Sequence, residues 1–340
     1  MERFKVVTCT TTACGILSLM CSAKRPSTSC RPKAENQLYY TLSSDSSPSI
    51  GSFYHMLNLN PNAADQIGFM MDILATANNP LITIERGSSA LIEALHSKLD
   101  LSRVDIMMNT AVISFSEMDD GMISVITTAG DFTGHHVIFT CQQRAYATIQ
   151  GFSLDVRALI GSVVPLELFK IFVVIENPPF DEQTLPHANY RVDRVPCREI
   201  HYGYDPFSKT GVVMIYGDMP YVNYWTPFLK GASPLPQNNS NDHLRNHISH
   251  YLRRIFDDEQ AVPFSVVHYG IMDWSKEPYG AGCHLWRPGA VSFEVMRSLK
   301  AFGAHKTVHI CGETFSNYQG FIEGCLRSVD ATLETVIPRQ

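Results

Sequence analysis

The sequence predicts a mixed α/β protein, and three patterns predict it. Near the C-terminus a short apolar run, Thr307 to Cys311, is followed by a glycine-containing turn. Ile322, Cys325, Leu326, Val329, Leu333 and Val336 then recur at helical spacing. Between residues 110 and 140 three strand-like runs follow one another, separated by turn residues. Leu168 to Glu176 is an apolar run broken only by Lys170, and it reads as a further strand.

The elements follow in order. Residues 24–50 are rich in Ser, Pro, Lys and Thr, so residues 1–50 are expected to be an atypical or poorly ordered N-terminus. Ala64 to Ala77 reads as a helix with Ile67, Met70, Met71 and Leu74 on one face, stopped by Asn78-Asn79-Pro80. After the apolar Ile82-Thr83-Ile84, a second helix carries Leu91, Ile92, Leu95 and Leu99 as its buried stripe, with Ser88 or Ser89 as its N-cap. Strands are expected over about Thr110–Ser116, Met122–Thr128 and Phe132–Thr140. Asp119-Asp120-Gly121 and Ala129-Gly130-Asp131 supply the turns of a β-meander that runs into a buried strand. Asn177-Pro178-Pro179 ends the Leu168–Glu176 strand. A helix is expected over Asn241–Asp257, and the strand–turn–helix unit closes the chain.

Composition narrows the function classes. With 340 residues, 45% hydrophobic and 18% charged, the chain has room for two domains or for one large α/β domain with an insertion. A net charge of −6 and the lack of a basic tract give no electrostatic case for nucleic acid. No apolar run is long enough to span a bilayer. Nine cysteines include Cys9, Cys14, Cys21 and Cys30, none in a Cys-x-x-Cys pair, and the histidines lack metal-ligand spacing. No metal is therefore expected. The segment Met1–Ala23 opens with Arg3 and Lys5 before a Thr/Cys-rich stretch. It leaves two readings, a weak signal peptide or an ordinary N-terminus, so location stays open. The sequon Asn238-Asn239-Ser240 matters only in a secreted chain.

Chemistry concentrates in three places. The first is the turn from Cys311 to Gly324. A helix starting after Gly320 directs free N–H groups and the positive end of its dipole at whatever lies ahead, a device for an anionic or electron-rich ligand. The second is Lys170, a charge inside an apolar strand that is costly to bury unless something uses it, or else faces solvent at an edge. The third is Trp274 to Trp286, where Gly280 and Gly282 allow close approach of backbone to a neighbouring group. Trp225, in Tyr221-Val222-Asn223-Tyr224-Trp225, has two readings, core or substrate contact.

The order Cys311-Gly312-Glu313-Thr314-Phe315-Ser316-Asn317-Tyr318-Gln319-Gly320-Phe321-Ile322-Glu323-Gly324 resembles the C-terminal flavin-binding motif of the FAD-dependent amine oxidases. That family includes monoamine oxidases, polyamine oxidases and L-amino acid oxidases. Asn109-Thr110-Ala111-Val112-Ile113, Phe139-Thr140-Cys141-Gln142-Gln143-Arg144-Ala145, Phe169-Lys170-Ile171-Phe172 with its Pro-Pro-Phe, and Trp274 to Trp286 resemble further stretches of it, over roughly residues 65–337.

The resemblance implies an FAD-binding domain assembled from residues 71–145 and 275–337, its Rossmann-type part incomplete. A mostly antiparallel substrate domain, 146–274, is inserted between the two segments. It implies FAD as cofactor, held by Val112, Trp274, Cys283, Gly312, Glu313, Phe321 and Ile322, with the Ile322 N–H directed at a flavin carbonyl oxygen. Cys283 falls where monoamine oxidases attach FAD through sulfur, although a small buried cysteine is the plainer reading. Lys170 is implied as the lysine that orders a water at the flavin and assists dioxygen. His284 and Phe321 fall where the family places a pair of aromatic residues around the substrate amine. A histidine there departs from the pattern.

Other departures are larger. No Gly-x-Gly-x-x-Gly opens the chain; in the nearest register, Val6 to Gly15, Thr10 and Thr12 stand where glycines belong. Two functions therefore remain open. The first is an FAD-dependent oxidase of a primary amine or L-amino acid that forms an imine and reduces dioxygen to peroxide. The second is an inactive relative that binds little or no FAD. The expected partners are a small amine or amino acid and dioxygen; the substrate and the oligomeric state are left open.

Overall fold

A computed structural model describes residues 4–7, 62, 64, 65, 67, 68, 71, 72, 84, 88–181, 196–229, 242–256, 264–274 and 280–337. The chain divides into two compact units. One is drawn from Met1–Ala34, Asn60–Pro165 and Cys283–Gln340, the other from Glu35–Leu59 and Leu166–Gly282. The seams at 165/166 and 282/283 differ from the expected 145/146 and 274/275. Residues beyond 145 join the first unit because Tyr146, Ile149, Phe152, Ile160 and Val163 are buried in its core with Phe115, Phe139, Trp286 and Ile310.

In the first unit, strand β1 (Phe4–Val7) pairs in parallel with β2 (Val104–Met107), which follows helix α1 (Ser88–His96). Ser88 is the first helical residue rather than its cap. The stripe Leu91, Ile92, Leu95 and Leu99 is only half-buried, so this helix lies against the unit instead of inside it. Ile67 and Met71, both in helical conformation, are exposed. Met70, Leu74 and residues 78–83 lie outside the described residues, as does the sequon.

The meander forms as its turns require. Strands β3 (Val112–Glu117), β4 (Ile123–Thr127) and β5 (Gly130–Gly134) make an antiparallel sheet. Gly121 has φ 80° and Gly130 φ 127°, conformations that a residue without Cβ adopts at little cost. The single strand expected over 132–140 is in fact two. After Gly134 the chain leaves the meander, and β6 (Val137–Phe139) pairs elsewhere. Helix α2 (Leu154–Ile160) is capped by Ser153, whose Oγ accepts from the Val156 N–H, and leads into β7 (Val163–Leu166).

The second unit is an antiparallel sheet of β8 (Leu168–Glu176), β9 (Glu199–Asp205), β10 (Thr210–Asp218) and β11 (Ser265–Asp273), in the order β11-β8-β10-β9. Alternate residues of β8 and β10, including Phe169, Ile171, Val173, Val213 and Ile215, are fully buried. They meet the apolar faces of α3 (Tyr221–Leu229) and α4 (Asp242–Ile255). Trp225 belongs to this core: it is 0% exposed and its Nε1–H donates to the Pro196 carbonyl at 2.7 Å.

The chain then returns to the first unit. Strand β12 (Cys283–Trp286) pairs with β7, helix α5 (Ser292–Lys300) follows, and β13 (Val308–Ile310) pairs in parallel with β6. Helix α6 (Ile322–Val336) closes the unit, starting where the residue spacing predicts.

The buried His309 is held beside β6 by polar contacts. His309 donates from Nδ1 to the Lys300 carbonyl at 2.7 Å, and its Nε2 lies 3.0 Å from His136 Nδ1. Burial holds both imidazoles below their ordinary titration range. The unfolded chain therefore binds protons that the folded chain resists. The stability these residues contribute is complete above pH 6.5 and is lost as pH falls through their depressed folded values. Replacing His309 with Gln is expected to flatten the loss of stability on acidification, read as urea midpoints between neutral and mildly acidic pH. Ile215→Ala is expected to destabilise the protein by about 2–5 kcal/mol at unchanged denaturant slope, whereas Phe207→Ala, at an exposed turn, changes it by less than about 0.5 kcal/mol.

Candidate functional site

The turn between β13 and α6 is built by backbone geometry. Cys311 N–H donates to the Phe139 carbonyl, so β13 keeps its parallel partner to the end. Gly312 then turns at φ 117° and ψ −177°, a region in essence reserved for glycine. Its N–H reaches Ser328 Oγ at 3.1 Å and ties the strand end to α6. A short 3₁₀ turn, Glu313–Phe315, follows, and Gly320 at φ 85° redirects the chain into the helix. Gly324 is required by contact: a Cβ there would lie 2.2 Å from the Tyr318 carbonyl oxygen.

Glu313 holds this turn together. Its Oε1 accepts from the His284 N–H at 3.0 Å and from the Gly320 N–H at 2.6 Å, and its Oε2 lies 2.8 Å from His284 Nδ1. Gln143 N–H donates to His284 Nε2 at 3.3 Å, so that nitrogen is the acceptor and Nδ1 carries the proton toward Glu313. Thr314 Oγ1 donates to the Cys141 carbonyl and also lies 3.3 Å from His284 Nδ1. Trp286 Nε1–H donates to the Ser316 carbonyl. One network thus joins β12, the loop after β6, and the turn before α6.

This changes the place expected for His284. The residue is 1% exposed with both ring nitrogens engaged, so it faces Glu313 rather than opposing another ring. Phe321 is 44% exposed and packs against Tyr318 instead, with ring centres 5.1 Å apart. The expected His284–Phe321 pair is therefore not formed.

The start of α6 fits an electron-rich planar ligand. Phe321 occupies the N-cap position with no side-chain cap bond, and Phe321 and Ile322 present half-exposed apolar surface beside it. Cys283 stands against Gly320; a Cβ on that glycine would lie 3.9 Å from Cys283 Sγ. The buried Gln319 donates from Nε2 to the Thr314 carbonyl, leaving Oε1 an acceptor without a partner among the described residues. Arg327, paired with Asp72 and Glu323, lies over the Tyr318 ring and steadies this end. Glu313, by contrast, has no oxygen left unengaged for a ligand.

The remaining expected residues lie apart from this turn. Val112 is the half-buried first residue of β3, next to a register irregularity between Val112 and Ser114. Lys170 and Trp274 come together in the second unit: Lys170 Nζ lies 5.9 Å from the Trp274 ring centre and 5.3 Å from that of Tyr216. Burial lowers the Lys170 ammonium's pKa, with the Glu199 carboxylate opposing the shift and Arg198 adding to it. Reading the sequence missed Gln143, Gln319, Ser328 and Tyr216. None sits in a spacing that marks it; each is brought in by a turn or by strand register. Among the described residues no three His, Cys, Asp or Glu side chains form a metal-binding group, and no helix is long and apolar enough to cross a membrane.

Comparison with known proteins adds three findings. A family described as flavin containing amine oxidoreductase matches residues 38–329. No curated protein matches the sequence. Among solved structures, putrescine oxidase is similar in fold. A triple mutant redesigned in cofactor binding gives a TM-score of 0.55 at 13% identity, over 75% of this chain and 53% of that one. The wild type bound to putrescine gives 0.54 at 13%, over the same shares. The chain thus spans about half the length of those proteins.

Glu313→Gln turns an acceptor into a donor opposite backbone N–H groups. It is expected to cost about 1.5–3 kcal/mol, measured by thermal unfolding. Gly324→Ala is expected to destabilise as well, because the blocking atom is backbone.

Proposed function

The chain belongs to the flavin-containing amine oxidoreductase family, and we propose that it is an FAD-dependent oxidase of a small primary amine or L-amino acid. The fold is that of the FAD-dependent amine oxidases. The observation that carries the reading is the start of α6. A helix N-terminus without a side-chain cap stands between a positive-φ glycine, half-exposed apolar side chains and a buried acceptor unmet among the described residues, in a family that takes flavin. The residues present fit the ring-facing part of such a cofactor.

In this reading Gly312, Phe321 and Ile322 hold the flavin end, Cys283 lines the same turn, and Val112 serves the adenine end. Glu313 and His284 do not touch the ligand; they fix the turn that does. Bound there, FAD supplies the two-electron acceptor for converting an amine to an imine, and dioxygen is the final oxidant, leaving as peroxide. Lys170 supplies a cation for negative charge developing on dioxygen, and Trp274 shields it from water. The first unit is the cofactor domain and the second the substrate domain. No acid–base pair is needed when the amine arrives neutral, and a diamine of the putrescine type is one compound to test. The saturation of Glu313 favours a second reading, a scaffold of this family that turns over no amine.

Oxygen consumption by the FAD-supplemented chain over a panel of diamines, monoamines and L-amino acids separates the two. The oxidase reading expects amine-dependent consumption with matching peroxide, and a rate of reoxidation by dioxygen slowed on the order of a hundredfold in Lys170→Met. Consumption unchanged by every compound supports the scaffold.

A further inference from the structure

Lys170 lies in a row of side chains that crosses the second unit's sheet. Glu199 is paired with Tyr216, Tyr216 with Lys170, and Lys170 with Met272, so all four stand on the same face. No ion pair or hydrogen bond reaches the Lys170 ammonium among the described residues; its neighbours are the faces of Tyr216 and Trp274. The acidic member of the row is already engaged. Glu199 Oε1 accepts from Arg198 Nε at 3.1 Å, and its Oε2 lies 3.0 Å from His201 Nε2. Arg198 also binds the buried Asp218 at 2.7 Å and stacks on Tyr216, 4.3 Å from the ring centre. Its backbone N–H donates to the Tyr216 carbonyl, fixing the stack in register. On the β11 side the neighbour is the uncharged Met272, while Asp273 turns to the other face.

We propose that Tyr216 is a positioning residue that holds Lys170 as a cation without neutralising it. The inference rests on the reading that Lys170 serves dioxygen. A carboxylate beside an ammonium supports the charged form but cancels its field. An aromatic face supports the charged form and carries no net charge, so the field persists toward negative charge developing in front of the lysine. The Arg198 charge, which also lies over this ring, is compensated by Glu199 and Asp218.

The test is acylation of the purified full chain across a pH series, with Lys170 resolved by peptide mass spectrometry. The midpoint of the rate profile reports ionisation; its plateau reports access. Removing the ring in Tyr216→Leu is expected to lower the Lys170 midpoint, because burial is then opposed by the Glu199 carboxylate alone. Tyr216→Phe keeps the ring face and is expected to keep the midpoint. Tyr216→Ile, a strong strand former, is measured beside the leucine variant so that either folded protein decides. A midpoint at or above that of the unmodified chain in the ring-less variants, or an equal fall in Tyr216→Phe, overturns the proposal. The midpoint is read without FAD or amine. A chain that consumes no oxygen would sink the oxidase reading, not this result.

Discussion

The carboxylate of Glu313 is the interaction on which the rest of the first unit's site depends. It gathers the backbone N–H and the buried imidazole N–H of His284 and the N–H of Gly320 on two oxygens, and so ties the start of β12 to the turn before α6. Charge-assisted bonds of this kind are short and roughly twice as strong as neutral ones, and in a buried setting none can be given up cheaply. Because Gly320 is held from this side, α6 begins where it does, with its N-terminal residues facing outward. Gly312 and Gly324 serve the same end: one lets the strand turn, the other lets the helix press against the turn.

How far this was legible in the sequence depended on the kind of information needed. The Leu168–Glu176 strand is found from end to end, since an unbroken apolar run stopped by Asn-Pro-Pro has one local solution. Helix α4 is bounded to within two residues and α6 starts at Ile322 as expected, because amphipathic spacing is strong in both. Strand β2 is missed: four residues after a turn carry too little pattern, and its partner lies at the other end of the sheet's sequence. The break between β5 and β6 is missed for a related reason, since β6 is defined by parallel pairing with β13.

The candidate site divides in the same way. The glycine-punctuated turn and the helix start are visible in the order of residues. The burial of His284 is not, because it follows from Glu313 reaching back 29 positions to the start of β12. His284, expected from the resemblance to stand in an aromatic pair around the substrate amine, is instead a fixed donor to a carboxylate. Lys170 announces itself as a charge in an apolar strand, but what compensates it does not. Tyr216 becomes its neighbour only through the antiparallel register of β8 and β10.

Two sets of residues thus carry the functional account, each within its own unit: the α6 turn, proposed to take a flavin, and the half-buried Lys170 row, proposed to keep a positive charge without a neutralising partner. The most direct measurement is the visible absorbance of the full chain after incubation with FAD and gel filtration. The account predicts a flavin band that stays with the protein and is lost in Gly324→Ala, where the turn cannot close. A chain that folds, as judged by its far-UV circular dichroism, and emerges colourless would contradict it.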